Sequence, residues 1–213
     1  MRGRHRRIGR LALLAAMLTA MTAAMTTMVP AGPAAAQQFS DGYNFLKAVR
    51  DRDVGKARTL LDKPGSTIVN SRDVTTGETG LMIALKRRDA PWVALMLQGG
   101  ADPNMKDGDG NPPLVVAAQG GFADGVQLLL SKQARVDDAN GQGETALMKS
   151  VQVNDVTTAQ QLLNAGADPD RPDNLTGMSA RQYAARDLRG GALAKLLAEA
   201  PKKNERQLVG PQL

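Results

Sequence analysis

The sequence predicts an all-α solenoid built from stacked helix-turn-helix units. The segment "MLQGGADPN", Met96–Asn104, nearly recurs as "LLNAGADPD", Leu162–Asp170, 66 residues later. Midway between them lies "LLSKQARVD", Leu129–Asp137, with the same pattern but no glycine, so the period is 33 residues. A fixed period of this size is typical of repeat proteins, in which each unit buries its apolar surface against its neighbours.

Each unit begins at a turn followed by a short first helix. Gly77, Gly110 and Gly143 share one column of the 33-residue alignment, and glycine adopts positive φ in tight turns at little cost. Thr79 and Thr145 follow two residues later and can cap a helix by accepting a backbone N–H. We therefore expect a tight turn and a helix N-terminus at the same place in successive units.

The second helix of each unit carries an apolar stripe. In the third unit the stripe consists of Val126, Leu129 and Leu130, which have helical spacing. Leu130 shares a column with Leu97 and Leu163, so we expect it to be fully buried between units. Its replacement by alanine should then cost about 2–5 kcal/mol of stability.

The segment after the second helix prevents the helix from continuing. We expect Gly100 and Gly166 to end their helices in a left-handed conformation, and Pro103 and Pro169 to stop the helix from resuming. Gln133 replaces the glycine in the third unit. This substitution costs about 1 kcal/mol if the residue keeps positive φ.

These residues resemble the ankyrin repeat, whose pattern is roughly D-x-x-G-x-T-P-L-x-x-A-A, then a helix with a leucine pair, then G-A-D. The stretch "DGDGNPPLVVAAQGGFADGVQLLL", Asp107–Leu130, matches nearly throughout. The resemblance implies stacked helix-turn-helix units joined by β-hairpin loops that project at right angles. Met82, Val115 and Met148 replace the histidine that follows T-P-L in the family, so the hydrogen bonds of that histidine are not expected.

The repeat domain is expected to span residues 37–200, followed by a flexible tail at residues 201–213. The last unit has one extra residue in its turn and is more polar, as an end cap should be. It carries Arg181 and Arg186, and we place Lys195 in the column of Met96, Leu129 and Leu162. The expected units are residues 41–73, 74–106, 107–139, 140–172 and 173–200.

Residues 1–36 have the three-part order of a secretory signal peptide. A basic segment, "MRGRHRRIGR", precedes the uncharged stretch Leu11–Val29, and small residues at Ala34 and Ala36 precede Gln37. We expect cleavage between Ala36 and Gln37, by the general or the twin-arginine export route, and a location in the periplasm of a Gram-negative bacterium. The alternative is an uncleaved membrane anchor, because Leu11–Val29 is nearly long enough to span a bilayer.

The charge of the chain argues against nucleic acid as a partner. The sequence has 27 basic and 21 acidic residues, but five of the arginines lie in the first 36 residues, which contain no acid. Without this segment, 22 basic residues stand against 21 acidic ones, and no strong basic surface is left to neutralise phosphates.

Catalysis is not expected. The single histidine, His5, lies in the leader and the chain has no cysteine, so the repeat domain cannot build a Ser-His-Asp centre, a Cys-His centre or a usual zinc site. We expect no cofactor, no metal and no small-molecule substrate. The chain is expected to be a monomer, and membrane contact is expected only if the leader is retained.

The remaining functional feature is a binding surface for another protein. In the ankyrin family, contacts concentrate on the hairpin tips and the exposed side of the first helix. Lys86 and Arg87 form the densest charge on this side, which is either a basic contact for an acidic partner or a solvated helix end. We expect that replacing both with alanine weakens binding without changing stability. Carried over by position, the predicted contact residues are Thr75, Thr76, Glu78, Lys86, Arg87, Lys106, Asp109, Asn111, Gln119, Gln142, Glu144 and Gln152.

Overall fold

The computed structural model describes residues 33–63, 66–187 and 191–201, with side chains from residue 41 onward. Most of the predicted leader, and all of the predicted tail at residues 201–213 except its first residue, lie outside these ranges. The chain divides into two units between Gln37 and Gln38, and all the repeats belong to the second unit. The predicted cleavage site, Ala36 and Gln37, lies in the backbone of the first described helix, and its cleavage stays a prediction.

The described residues form ten α-helices and no extended strand, which confirms the predicted all-α repeat fold. The helices pair in sequence as five helix-turn-helix units, and helices of neighbouring units pack side by side in two layers. The first helices are α1 (Pro33–Asp51), α3 (Gly80–Lys86), α5 (Pro113–Gln119), α7 (Ala146–Gln152) and α9 (Ala180–Arg186), and the second helices are α2 (Val54–Leu61), α4 (Ala90–Gln98), α6 (Ala123–Ser131), α8 (Val156–Asn164) and α10 (Gly191–Glu199).

Two of the first helices, α3 and α7, begin at the predicted caps. The hydroxyl of Thr79 accepts the N–H of Met82 at 3.3 Å, and the hydroxyl of Thr145 accepts the N–H of Met148 at 3.4 Å. Ser179 does the same in the fifth unit and forms a reciprocal capping box with Gln182. Each hydroxyl satisfies one of the N–H groups that a helix N-terminus leaves without an intrahelical partner.

The ends of the second helices also have the predicted backbone. Gly100 has φ 86° and Gly166 has φ 95°, and Gln133 keeps the same left-handed region with φ 61°. The third unit therefore accepts a side chain where two of its neighbours use glycine, at the conformational cost expected from the sequence.

The hairpins are reduced to their turns. Between the units, isolated antiparallel bridges take the place of strands. The extra residue expected in the last turn is present, because Asp173 and Ser179 are six positions apart whereas Asn140 and Thr145 are five apart. The hairpin between the first and second units has the same extra residue, because Asp73 and Thr79 are also six positions apart. The extra residue lies before the turn glycine Gly77, so the spacing of the turn glycines does not reveal it. The bridges join Arg72 to Thr79, Ala139 to Thr145 and Pro172 to Ser179.

The apolar core runs along the interface between the two helix layers. Met96, Leu129 and Leu162 are fully buried, one in each of three successive second helices. Leu130 is only partly buried, so the prediction that it is fully buried was wrong. Adjacent positions on a helix point roughly 100° apart, and because Leu129 points into the core, Leu130 is turned toward the edge of the interface.

The position assigned to Lys195 was also wrong. The extra residue of the fifth unit moves Lys195 into the column of Leu128 and Gln161, and Lys195 is exposed. The buried residues of α10 are Leu193 and Leu197. The exposed Lys195 is nevertheless consistent with the expectation that the last unit is more polar.

Arg181 closes the described array at its last unit. It occupies the column in which Leu147 is fully buried in the fourth unit. Its guanidinium pairs with Asp170 at 2.8 Å and donates to the carbonyls of Leu197 and Ala200 at the end of α10. An arginine therefore satisfies the C-terminal carbonyls that would otherwise be without partners.

Candidate functional site

A groove of about 620 Å³, here called the central groove, lies between the hairpins of the third and fourth units. It brings together four of the predicted contact residues and three residues that were not predicted. Its position at the hairpin tips and the exposed side of α5 and α7 is the one implied by the family resemblance. The lining residues are Asp109, Asn111, Gln119, Asn140, Gly141, Gln142 and Lys149.

Asp107 holds the wall of the central groove that belongs to the third unit. Its buried carboxylate accepts the backbone N–H of Asp109 at 3.1 Å and of Asn111 at 2.8 Å. The Asn111 amide donates to both Asp107 oxygens. Asn111 is therefore committed to the turn, whereas Asp109 and Gln119 are exposed at the groove.

Asn140 performs the same task in the fourth unit. Its side-chain oxygen accepts the N–H of Gln142 at 3.0 Å and of Glu144 at 2.9 Å. Its amide nitrogen donates to the side chains of the same two residues, at 3.1 and 2.9 Å. One neutral side chain thus fixes the hairpin backbone and two of the predicted contact residues.

Glu144 connects this hairpin to α7. It pairs with Lys149 at 2.6 Å and accepts a hydrogen bond from Gln152 at 3.1 Å. Burial raises the pKa of Glu144, but the hydrogen bonds from Lys149, Asn140 and Gln152 together outweigh burial and hold the pKa below its usual value. The carboxylate is therefore ionised near neutral pH, and the network is a fixed ion pair with amide partners.

Lys149 and Asn140 are the important residues that sequence reasoning missed. The Lys149 side chain is only 13% exposed and lies in the column of the buried residues Ile83 and Val116. Its methylene stem continues the core while its ammonium group reaches Glu144. The signal that could have identified Lys149 is its charge, since the other two residues of its repeat column are apolar.

The basic edge at Lys86 and Arg87 is exposed at the end of α3, but both side chains already have partners within the repeat array. Lys86 pairs with Glu78 within its own unit. Arg87 donates to the carbonyls of Val49 at 2.9 Å and Arg50 at 2.8 Å, at the C-terminal end of α1. Arg87 joins the first two units, so its replacement is not a pure surface change. We therefore expect this replacement to lower stability, and its effect on binding stays a prediction.

Two of the other predicted residues, Lys106 and Thr76, are also engaged between units. Lys106 donates to the carbonyl of Ala139 at 2.8 Å, one unit further along. Thr75 and Thr76 are exposed at the tip of the first hairpin, and the carbonyl of Thr76 accepts the N–H of Gly108 at 3.0 Å. A Cβ on Gly108 would lie 2.5 Å from that carbonyl oxygen, so only glycine allows this contact between hairpins.

The central groove has little unpaired charge. Lys149 is neutralised by Glu144, and Asp109 belongs to no ion pair among the described residues. The remaining lining side chains are amides. Such a surface recognises a partner by hydrogen bonds and shape, since complementary long-range charge is absent.

The described ranges contain neither a metal site nor a membrane span. Within them, no three His, Cys, Asp or Glu side chains come close enough together to hold a metal ion. Among the same residues, no helix combines the length and the apolar character that crossing a membrane requires.

The repeated geometry agrees with the comparison to known families. The family model described as ankyrin repeats in three copies matches residues 45–140 and 81–173. The chain belongs to the ankyrin repeat family. Ankyrin repeats mediate protein–protein interactions and are generally not catalytic, so the repeat domain is a protein-interaction module.

The curated relatives share the repeats over part of their length. The chain is 32% identical over 153 residues to "ANK repeat-containing protein nipk-1" of Caenorhabditis elegans, covering 62% of this chain and 25% of that protein. It is 31% identical over 149 residues to human "Ankyrin repeat domain-containing protein 63", covering 66% of this chain and 39% of that protein. It is 29% identical over 167 residues to the bovine "Mitochondrial disaggregase", covering 75% of this chain and 23% of that protein.

These relatives are eukaryotic, and this chain spans at most about two fifths of their length. They establish the repeats and the general interaction role. The disaggregase activity is named for a protein of which this chain covers less than a quarter, so it is not carried over.

Proposed function

We propose that this chain is a non-catalytic protein-binding module, exported to the bacterial periplasm, that binds a protein of the cell envelope through the central groove. The binding needs no cofactor. The observation that carries the proposal is the preformed groove between the third and fourth hairpins, where predicted contact residues from two units meet.

The rigidity of the groove supports a binding role. Asp107 and Asn140 fix both hairpin backbones by hydrogen bonds, and the pair of Glu144 and Lys149 fixes the floor. A surface that is already ordered loses little conformational entropy on binding. Asp109 and Gln119 are exposed within this frame and are the side chains best placed to contact a partner.

The charge pattern of the groove suggests how the affinity should respond to salt. Because the cation in the groove is internally paired, steering by long-range charge should be weak. We expect the dissociation constant to change by less than about tenfold between low and physiological salt, unlike that of a charge-steered interface. A steep salt dependence would contradict recognition by the amide-lined groove.

The partner can be identified by cross-linking from a single introduced thiol. The chain has no cysteine, so Asp109→Cys carries its only thiol at the central groove. The matched control is Gln127→Cys, on the exposed side of α6 in the same unit. With a thiol-attached photo-crosslinker in a periplasmic extract, we expect one partner protein from the Asp109 position. The same product from both positions, or none from Asp109→Cys, would argue against the groove.

Export is a separate part of the proposal and has its own test. It is supported by the basic segment, apolar stretch and small residues of positions 1–36. Intact-mass measurement of the protein from its native cell should give a chain that begins at Gln37. A full-length mass in the membrane fraction would instead support a membrane-tethered scaffold with the same binding surface.

A further inference from the structure

The loops between the first and second helices follow a regular scheme. In each of the first four units the loop has a residue with left-handed φ, namely Arg52, Arg88, Gly121 and Asn154, with φ between 55° and 60°. The next residue is the N-cap of the second helix. Arg52 of the first unit pairs with the N-cap Asp89 of the second unit at 2.5 Å. Between the first two units, this arrangement links the loop cation of one unit to the cap carboxylate of the next.

The third unit interrupts this scheme at both positions. It has Gly121 where a loop cation would stand and Phe122 where an acidic cap would stand. Arg88 of the second unit consequently finds no cap carboxylate in the third unit, and Asp155 of the fourth unit finds no loop cation there. Within the described ranges, neither Arg88 nor Asp155 forms an ion pair with any residue.

The two charges line one cavity. A groove of about 640 Å³, here called the loop notch, lies over Gly120 and Gly121 between Arg88 and Asp155. The Nη2 of Arg88 is 3.9 Å, and the Oδ2 of Asp155 is 3.8 Å, from the point where a Cβ on Gly121 would stand. A cation and a carboxylate thus flank the space that the missing side chain leaves.

The notch also has an apolar rim. Val153 and Val156 line it and are 44% and 39% exposed. Asp155 accepts hydrogen bonds from the backbone and hydroxyl of Thr158, at 3.0 and 2.7 Å, which hold its carboxylate in place. The notch therefore presents a fixed carboxylate and an exposed guanidinium beside two exposed valines.

We propose that the loop notch is a second contact point for the protein partner, occupied by a segment that carries both a carboxylate and a cation. The carboxylate of the segment pairs with Arg88, its cation pairs with Asp155, and an apolar side chain covers Val153 and Val156. This assignment rests on the proposed protein-binding function and adds the chemistry of the bound segment.

Charge complementarity selects this occupant over simpler ones. A segment with only acidic residues would meet the Asp155 carboxylate, and a segment with only basic residues would meet Arg88, and like charges at this range are unfavourable. A small dipolar molecule would match the charges but leave the two valines uncovered. Gln119 lines both the loop notch and the central groove, so one partner can reach both.

The variant Gly121→Arg tests the notch by restoring the missing loop cation. The new side chain would fill the space and face Asp155, as Arg52 faces Asp89. The substitution carries the strain of a positive φ, but Arg52 and Arg88 hold the same conformation. Apart from the neighbours of Gly121 in the chain, no atom lies closer than 3.8 Å to the new Cβ.

A matched control is Gly100→Arg. Gly100 also has positive φ, has no atom within 4 Å of the point where its Cβ would stand, and shares its column with Gln133. The control therefore repeats the same substitution on the same type of backbone at another surface, away from the notch.

The probe is a displayed library of short linear peptides, selected on the full chain. Peptides that occupy the notch should lose about tenfold or more in affinity on Gly121→Arg and on Arg88→Ala, and keep their affinity on Gly100→Arg. They should contain an acidic, a basic and an apolar residue, and their affinity should weaken with salt by less than about tenfold.

The outcomes separate this inference from the proposed function. If the selected peptides lose affinity on Asp109→Ala but not on Gly121→Arg, the central groove remains supported and the assignment of the loop notch is rejected. The notch assignment also fails if notch-dependent peptides carry one sign of charge only, or if free arginine and aspartate compete with them as strongly as an unlabelled peptide does. A library in which no peptide responds to Gly121→Arg overturns it as well.

Discussion

The fourth and fifth units have the same two-helix plan but are stabilised differently. The fourth unit has neighbours on both sides, and Leu147 in its first helix is fully buried. The fifth unit has Arg181 at the same position, bound to Asp170 and to carbonyls of α10. One repeat column is therefore filled by an apolar side chain inside the array and by an ionic clamp in its last described unit.

The hairpins of these two units differ in the same way. The anchor of the fourth hairpin is the neutral Asn140, whereas that of the fifth is Asp173. Burial raises the pKa of Asp173, but hydrogen bonds from the Tyr183 hydroxyl and from Thr176 outweigh it and hold the pKa well below its usual value. The fourth and fifth units thus differ in the charge of the anchor, and the third unit shares the ionised type through Asp107.

The largest expected effect is in the inner unit. Leu147→Ala should lower the free energy of unfolding by about 2–5 kcal/mol, because a fully buried leucine leaves a cavity between units. Urea unfolding monitored by circular dichroism measures the loss. The control Leu175→Ala, at an 80% exposed hairpin position, should stay within about 0.5 kcal/mol. Equal losses at both positions would contradict the burial argument.

The corresponding change in the outer unit should be smaller and more local. Arg181→Ala removes hydrogen bonds to Asp170 and to the end of α10, a loss of about 1.5–3 kcal/mol for charged partners. Hydrogen exchange should show that α10 loses protection before α7 does, because each unit contacts only its neighbours. Arg186→Ala is the control, since its described hydrogen bond is only to the sulfur of Met178. Uniform loss of protection along the array would show that the clamp is not local.

The pH dependence should also distinguish the two units. The folded pKa of Asp173 is lowered, so its stabilisation is complete above the unfolded value of about 3.9 and is lost as the pH falls toward the folded pKa. Hydrogen exchange below pH 4 should therefore show protection lost at the fifth hairpin through Asp173, whereas the fourth unit responds to acid through Glu144. Asp173→Asn should reduce this acid sensitivity, since Asn140 already serves as an anchor. An acid response that is unchanged in this variant would exclude Asp173 as its source.

The smallest expected effect belongs to the hydroxyl that supports this anchor. Tyr183 donates to Asp173 at 2.5 Å, and Tyr183→Phe should cost about 1 kcal/mol. The hydrogen bond to Asp173 raises the pKa of Tyr183, so its stabilisation is complete below pH about 10 and is lost as the pH rises above that value. The free energies of unfolding of the wild type and the variant should therefore become equal at high pH. A constant difference between them would contradict the bond.

Features of the fold that depend on neighbouring residues were predictable from the sequence. The period, the caps at Thr79 and Thr145 and the left-handed residues at Gly100 and Gly166 all involve contacts within a few positions. The central groove was predictable in part, because Asp109 and Gln142 lie at tips that the family resemblance indicates. Leu130 was misplaced because the repeat pattern shows which two leucines are adjacent but not which one points into the core.

By itself, the sequence determined that this chain is an ankyrin repeat array and where each unit turns, because repeat spacing and helix caps are local properties. Only the tertiary structure decided which charged side chains find partners within the array and which do not. Arg87 binds carbonyls 37 and 38 positions earlier, Lys149 is held inside the central groove, and Arg88 and Asp155 face each other across a unit that lacks their partners. The physical reason is that the partner of a long charged side chain depends on the stacking of separate units.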